Sequence, residues 1–437
     1  MRERTYGKRW TRWLVGVWAL LGAPALSQTI WVVDDDGGPG VAFTDIQPAV
    51  DAAADGDTVL IHAGTYSGFT VDGVALVLVG DVDGPVVVDD GQVRIENLAA
   101  HQSVTLRRLQ ATAAQAGLFQ PQPRALELVN AAGPIWIEDV FVTPMSGPLL
   151  PGLVGGGVLV ADCVAVTFSR CTLEGNLASP PLFGSSDPAV TALVATNSSV
   201  ALYDTVLRGG DAPGGGPGGF GCGQANPAGS GAVVTDGFLF ASGCDFLGGT
   251  GGDGSPAVSI PGDGGDGADG GDGLCLDGIS PVAVVIDCAF AAGTGGDHGG
   301  FACTDGVDGA AVAVKAGSLA TLPGTARSFS ASSPVREGGT VDLLYAGEVG
   351  DLAFAAVALD PAFLYLPSLN GVLSCSLPVV NVEFLGTVLP PGTLAVSLPV
   401  QAVASGVSFH LQAGALATTG LVHLASPSVL TLLDAAF

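Results

Sequence analysis

Residues 31–71 read WVVDDDGGPGVAFTDIQPAVDAAADGDTVLIHAGTYSGFTV. Within them Thr44-Asp45-Ile46-Gln47 marks a helix start, with Thr44 as N-cap and Gln47 reaching back from three residues on. Ile46, Val50 and Ala53 recur at helical spacing, and Asp55-Gly56-Asp57 ends the run. Pro48 falls in the first turn, where it costs at most one backbone bond. A strand from Thr58 to His62 follows, then the turn Ala63-Gly64-Thr65-Tyr66. A short amphipathic helix before a strand suits the open end of a stack of coils, whose first apolar layer has no neighbour to cover it.

From residue 104 one pattern returns. It reads Val104-Thr-Leu-Arg-Arg-Leu109, Ile135-Trp-Ile-Glu-Asp-Val140, Val166-Thr-Phe-Ser-Arg-Cys171 and Val200-Ala-Leu-Tyr-Asp-Thr205, with looser copies ending at Cys244 and Cys288. The closing residues are separated by 31, 31, 34, 39 and 44 positions. A second short strand precedes each copy: Ala125–Val129, Gly157–Ala161, Thr191–Ala195, Gly231–Thr235 and Gly273–Asp277. A repeat whose insertions grow at one place is the mark of a solenoid with its loops on one face. An antiparallel sandwich would repeat its strands every 8–12 residues instead. Period-2 alternation turns Val104, Leu106, Phe168 and Leu202 inward.

The bend pattern V-x-L-x-x-C-x-L, together with the helix, the G-D-T-V of residues 56–59 and the G-T-Y of residues 64–66, resembles right-handed parallel β-helix proteins of the pectin-lyase-like superfamily. The likeness covers roughly residues 29–318. It implies an all-β solenoid with an N-terminal capping helix, and a coil face along which sugar chains lie.

Composition agrees with such a fold. Charged residues are 13% of the chain, about half the usual share, and glycines number 67. Mean hydropathy is +0.51, yet past the N-terminus no stretch offers ~20 unbroken apolar residues for a membrane span. Residues 1–27 read as an export signal. Arg2, Arg4, Lys8, Arg9 and Arg12 precede the apolar Trp13–Leu21, and Ala25-Leu26-Ser27 offers a cleavage site. A retained anchor is the alternative. Cleavage leaves nine basic against 40 acidic residues, a net charge of −31. That balance excludes nucleic acid, which needs a basic surface. It favours a neutral polysaccharide or cell-surface partner, or one bridged by divalent cations. Secretion or display on the cell surface permits disulfides among the eight cysteines. The repeated strings ending at Cys222 and Cys303, with Cys275 between them, suggest loop cysteines that staple adjacent coils.

After Gly317 the long glycine tracts stop. Residues 319–437 carry short apolar strands at Val341–Tyr345, Leu352–Leu359, Leu394–Pro399, Val407–Gln412 and Leu421–Leu424, which suggest an antiparallel β-sandwich. Asp360-Pro361-Ala362-Phe363, Leu369-Asn370-Gly371 and the ending Leu432 to Phe437 resemble a C-terminal β domain found on many exported bacterial proteins. The chain thus divides into a signal (1–27), a solenoid (28–318) and a C-terminal unit (319–437).

Stacked coils align their outward residues into ladders. One runs Arg107, Glu138, Ser169, Tyr203; its neighbour at the bend runs Arg108, Asp139, Arg170, Asp204. With Trp136 and Tyr203 as aromatic surface, the face is a candidate carbohydrate-binding site formed by Trp136, Tyr203, Arg108, Asp139, Arg170 and Asp204. The resemblance also implies a Ca²⁺-dependent polysaccharide lyase acting on uronates, with Arg107 as base and Glu138 as its ladder acid. Arg108 and Arg170 are expected to be held by Asp139 and Asp204. A structural charge ladder is the plainer reading, and a non-catalytic extracellular binding protein is the leading function. Asp263, Asp266, Asp269 and Asp272 lie in one loop containing the G-G-x-G-x-D string of a Ca²⁺-binding repeat. A solvated acidic loop is the alternative. Because the Gly-rich loops lack apolar side chains, they are expected to be mobile or ordered by something bound.

Overall fold

A computed structural model describes residues 28–113, 124–143, 157–176, 189–212, 214, 227–254, 264–300, 303–401 and 406–437. The export-signal reading of residues 1–27 lies outside them. Nearly all of the regular structure is β. Among the described residues no helix is long and apolar enough to cross a membrane.

From Ile30 to Thr321 the chain builds parallel sheets. Ten strands follow one another from Ile30–Val33 through Val104–Ala113, Ile135–Thr143 and Val166–Ser169 to Ser318–Thr321. A second run begins at Gly64–Tyr66 and ends at Ala289–Ala291, and a separate eight-stranded sheet runs from Phe69–Asp72 to Val312–Val314. The repeat read from sequence sets the register: Leu106 pairs with Ile137, Ile137 with Phe168, and Phe168 with Leu202. All four are buried in one apolar core that extends from Val33 to Val285. This arrangement is compatible with a parallel β-helix.

Two columns of left-handed residues make the corners. The first contains Arg108, Asp139, Arg170 and Asp204, with φ between 47° and 59°, and is the bend seen in the sequence. The second contains Asn97, Asn130, Asp162, Asn197 and Asp236. Asn and Asp tolerate this region because a short polar side chain bonds locally. Here the bonds run between coils: Asn130 Nδ2 donates to Asn97 Oδ1, and Asn197 Nδ2 to Asp162 Oδ1, both at 2.7 Å.

Helix α1 (Ile46–Ala52) buries Ile46, Ala49 and Val50 against the first strands. Its N-cap is Asp45, not the expected Thr44; the Asp45 carboxylate accepts from Ile46 N at 2.8 Å. Gln47 does not reach back. It bonds the Thr70 backbone in both directions, accepting at 2.7 Å and donating at 3.1 Å. A neighbouring coil supplies the partners that a capping box would otherwise supply.

From Ser328 onward the strands are antiparallel apart from the short Val335–Arg336 pairing. A three-stranded sheet joins Ser328–Ala331, Thr340–Ala346 and Thr393–Pro399. A five-stranded sheet is built around Val407–Leu416 and Val422–Leu433. A hairpin pairs Pro361–Leu366 with Gly371–Cys375. Phe329, Tyr345, Phe409 and Leu411 lie in the core between the two larger sheets.

Candidate functional site

The aligned ladders exist, but the first is covered, and Arg108, Asp139, Arg170 and Asp204 of the second are half-buried at its edge. The C-terminal sheets lie along the parallel face, from Leu433 against Leu60 and Val79 to Val372 against Tyr203, Phe240 and Ile286. Trp136, Glu138 and Tyr203 are fully buried and Arg107 is 4% exposed. The aromatic surface expected from Trp136 and Tyr203 is therefore closed. Trp136 packs edge-on against His410 with ring centroids 5.0 Å apart, and Tyr203 Oη both donates to and accepts from the Val372 backbone.

Glu138 sits at the centre. Its carboxylate accepts from Ser428 Oγ at 2.7 Å, Val429 N at 2.6 Å and Trp136 Nε1 at 3.2 Å. It also pairs with Arg107 at 3.2 Å and, more closely, with Arg170. Arg107 donates to Asp139 at 3.0 and 3.2 Å, to Ala331 O at 2.9 Å and to Val429 O. Arg170 reaches Asp139 at 3.0 Å, Phe329 O at 2.8 Å and Pro427 O at 3.3 Å. Burial alone would lower the Arg170 pKa, but Glu138 and Asp139 outweigh it and raise it.

The pairing differs from the expected ladder. Asp139 is bonded by Arg107 and Arg170, not by Arg108, whose Nε is buried without a hydrogen bond. Asp204 bonds no arginine, and its Oδ2 is buried without a partner. Burial pushes the Asp204 pKa up to about 6, against the pull of Ser426 and Arg170. His410 is the residue that sequence reasoning missed. Its Nε2 lies 3.0 Å from Thr105 Oγ1, its Nδ1 3.1 Å from Leu359 O, and burial lowers its pKa to about 4. No local signal could have found it, because Thr105 lies 305 residues away in sequence and Leu359 lies 51.

The Gly- and Asp-rich segments are ordered by their own backbone. Gly267, Gly270 and Gly273 donate to Thr304 O, Val307 O and Ala310 O, each at 2.9 Å. Gly293, Gly296 and Gly299 donate to Gly271 O, Ala268 O and Gly265 O at 2.8–2.9 Å. A hydrogen-bond repeat of three residues has the period of a polyproline II helix. Close approach requires glycine at these positions: a Cβ on Gly271 would fall on the Gly229 carbonyl, and one on Gly293 on that of Gly249. Over these described residues the backbone bonds one segment to the next, where mobility or order imposed by a ligand was expected; residues 215–226 and 255–263 of the same loops lie outside the described residues. Lacking side chains, the described segments pack main chain against main chain.

The acids of that bundle serve the same lattice. Asp266, Asp269 and Asp272 accept from Thr304 N, Val307 N and Ala310 N at 2.7–2.8 Å. Three residues of such a helix span ~9 Å, whereas Ca²⁺ gathers oxygens at ~2.3–2.6 Å from itself. These three carboxylates do not fit one ion; Asp263 lies outside the described residues. The one group among the described residues with convergent ligand atoms is His62, Asp81 and Asp83, within 4.8 Å of one another. Asp81 is fully buried there and already held by Arg336. Among the cysteines, Cys303 is disulfide-bonded, whereas Cys275 is a free thiol and does not staple the loops. Cys222 lies outside the described residues.

No protein-family model matches the chain, and no curated protein matches it.

Proposed function

We propose that this is an exported, non-catalytic extracellular or cell-surface protein. In this reading a right-handed pectin-lyase-like β-helix (residues 28–318), capped by α1, carries a C-terminal β-sandwich (319–437). The ladder is its internal seam, and contacts with polysaccharide or other surface components fall to the exposed faces. The observation that carries the reading is the burial of Glu138 and Arg107 beneath Ser428 and Val429. A lyase base must reach an acidic C–H of its substrate; Arg107 instead spends its donors on Asp139 and two backbone carbonyls. Trp136, Tyr203, Arg108, Asp139, Arg170 and Asp204 are accordingly assigned to docking rather than to ligand binding. The Asp266, Asp269 and Asp272 carboxylates are assigned to backbone amides, with no calcium needed to order them.

The test is a panel of uronate polymers, pectate and alginate among them, with and without Ca²⁺. Ultraviolet absorbance of the unsaturated product should stay flat. Product that disappears in Arg107→Ala, with folding intact, would establish the lyase instead. Binding to the same glycans, measured by affinity electrophoresis, should be unchanged in Tyr203→Phe, which leaves the buried ring in place.

A further inference from the structure

The inward positions that close each bend form one column: Leu109, Val140, Cys171, Thr205, Cys244 and Cys288. Thr205 separates Cys171 from Cys244, but Cys244 and Cys288 occupy consecutive coils. Their neighbours Asp245 and Ala289 pair directly in parallel register. Stacked positions on adjacent strands lie ~4.8 Å apart, inside the ~4.4–6.8 Å Cα range of a disulfide. Both side chains belong to the same core column, Cys244 within the apolar core and Cys288 packed against it. Each also contacts the carbonyl two residues back, Ser242 O at 3.4 Å and Ile286 O at 3.3 Å. Cys244 is fully buried, while Cys288 is only partly covered and precedes the exposed edge strand Ala289–Ala291.

We propose that Cys244 and Cys288 are a modification site, a thiol pair that a small-molecule or protein disulfide oxidises to a cystine joining two consecutive coils near the C-terminal end of the solenoid. Cys288 is the attacking group. It is the less buried of the two, and the neighbouring Cys244 side chain draws its pKa down, whereas burial pushes that of Cys244 up. The Cys288 thiolate displaces one thiolate from the incoming disulfide and forms a mixed disulfide. Cys244 then gives up its proton, attacks the Cys288 sulfur and expels the second thiolate. Two protons and two electrons leave the pair, and one disulfide is reduced to two thiols. The chain already carries a disulfide at Cys303, so it matures where such an oxidant acts.

The experiment uses the full chain incubated with oxidised glutathione, then denatured and alkylated for mass spectrometry. Of the six free cysteines among the described residues, Cys244 and Cys288 should escape alkylation and appear in one linked peptide pair. The Tm should rise by roughly 2–5 °C, because the link closes a long loop in the unfolded chain. Cys288→Ser should remove both effects. Cys244 and Cys288 that both remain alkylatable would overturn the proposal, as would a stable glutathione adduct on Cys288 or a link from either to a different cysteine. The peptide map is read on the unmutated chain, so a poorly folding variant does not decide the outcome.

Discussion

The ladder seam and the glycine bundle both order polar groups away from water, by opposite means. At the seam, charged side chains from consecutive coils converge on Glu138, and a remote segment around Ser428 completes their hydrogen bonds. In the bundle, side chains are removed and carbonyls and amides meet directly, with Asp266, Asp269 and Asp272 as outriggers. The seam concentrates its dependence on a few residues. The bundle spreads it over many equivalent bonds, so single changes should cost less there.

The largest effect should come from Glu138→Ala, which leaves Arg107 and Arg170 buried without their shared carboxylate. Breaking a buried pair costs about 3–5 kcal/mol, measurable by urea unfolding; a loss below about 1 kcal/mol would show that the seam is slack. Next in size is the pH response. Asp204 has a folded pKa of about 6, above its ordinary 3.8, so the folded state binds the extra proton and gains stability as pH falls from 7 towards 4. His410 has a folded pKa of about 4, below its ordinary 6.5, so the unfolded state takes the proton and stability is lost over the same window. The two offset each other. Asp204→Asn should therefore make the chain acid-sensitive and His410→Gln should make it firmer in acid, each by up to about 3 kcal/mol between pH 7 and 4. Parallel pH curves for the two variants would contradict this.

In the bundle, Gly271→Ala places a methyl against the Gly229 carbonyl and should cost about 1–3 kcal/mol, whereas Thr294→Ala, at an exposed position, should be near neutral. Equal effects would mean that the backbones are not in contact. The smallest change is expected for Asp269→Ala, about 1 kcal/mol from one lost hydrogen bond. Millimolar Ca²⁺ should not shift the melting temperature of the parent chain or of this variant; a calcium-dependent rise lost in Asp269→Ala would restore the ion-binding reading.

What was legible in the sequence follows the range of the interactions. The inward column Leu106, Ile137, Phe168 and Leu202 shows itself because period-2 alternation and a ~31-residue repeat are local patterns. The second corner was legible but unread: Asn97, Asn130, Asp162, Asn197 and Asp236 recur at the ends of the second strand set. The role of the ladder was not legible. Alternating signs at Arg108, Asp139, Arg170 and Asp204 look alike whether they face water, a sugar or another sheet. Only the partners at Ala331, Pro427 and Val429 distinguish the cases. The glycine tracts misled because disorder is inferred from missing apolar side chains, and main-chain lattices need none.

The three-residue hydrogen-bond period gives the glycine segments something like a reading frame. Losing or gaining three residues within a segment such as Gly264–Gly273 returns each glycine to a carbonyl it can approach. A shift of one or two would bring Asp266 or Ala268 into that contact and put the whole segment out of phase with both neighbours. Length variation inside these segments should thus come in triplets of amino acids.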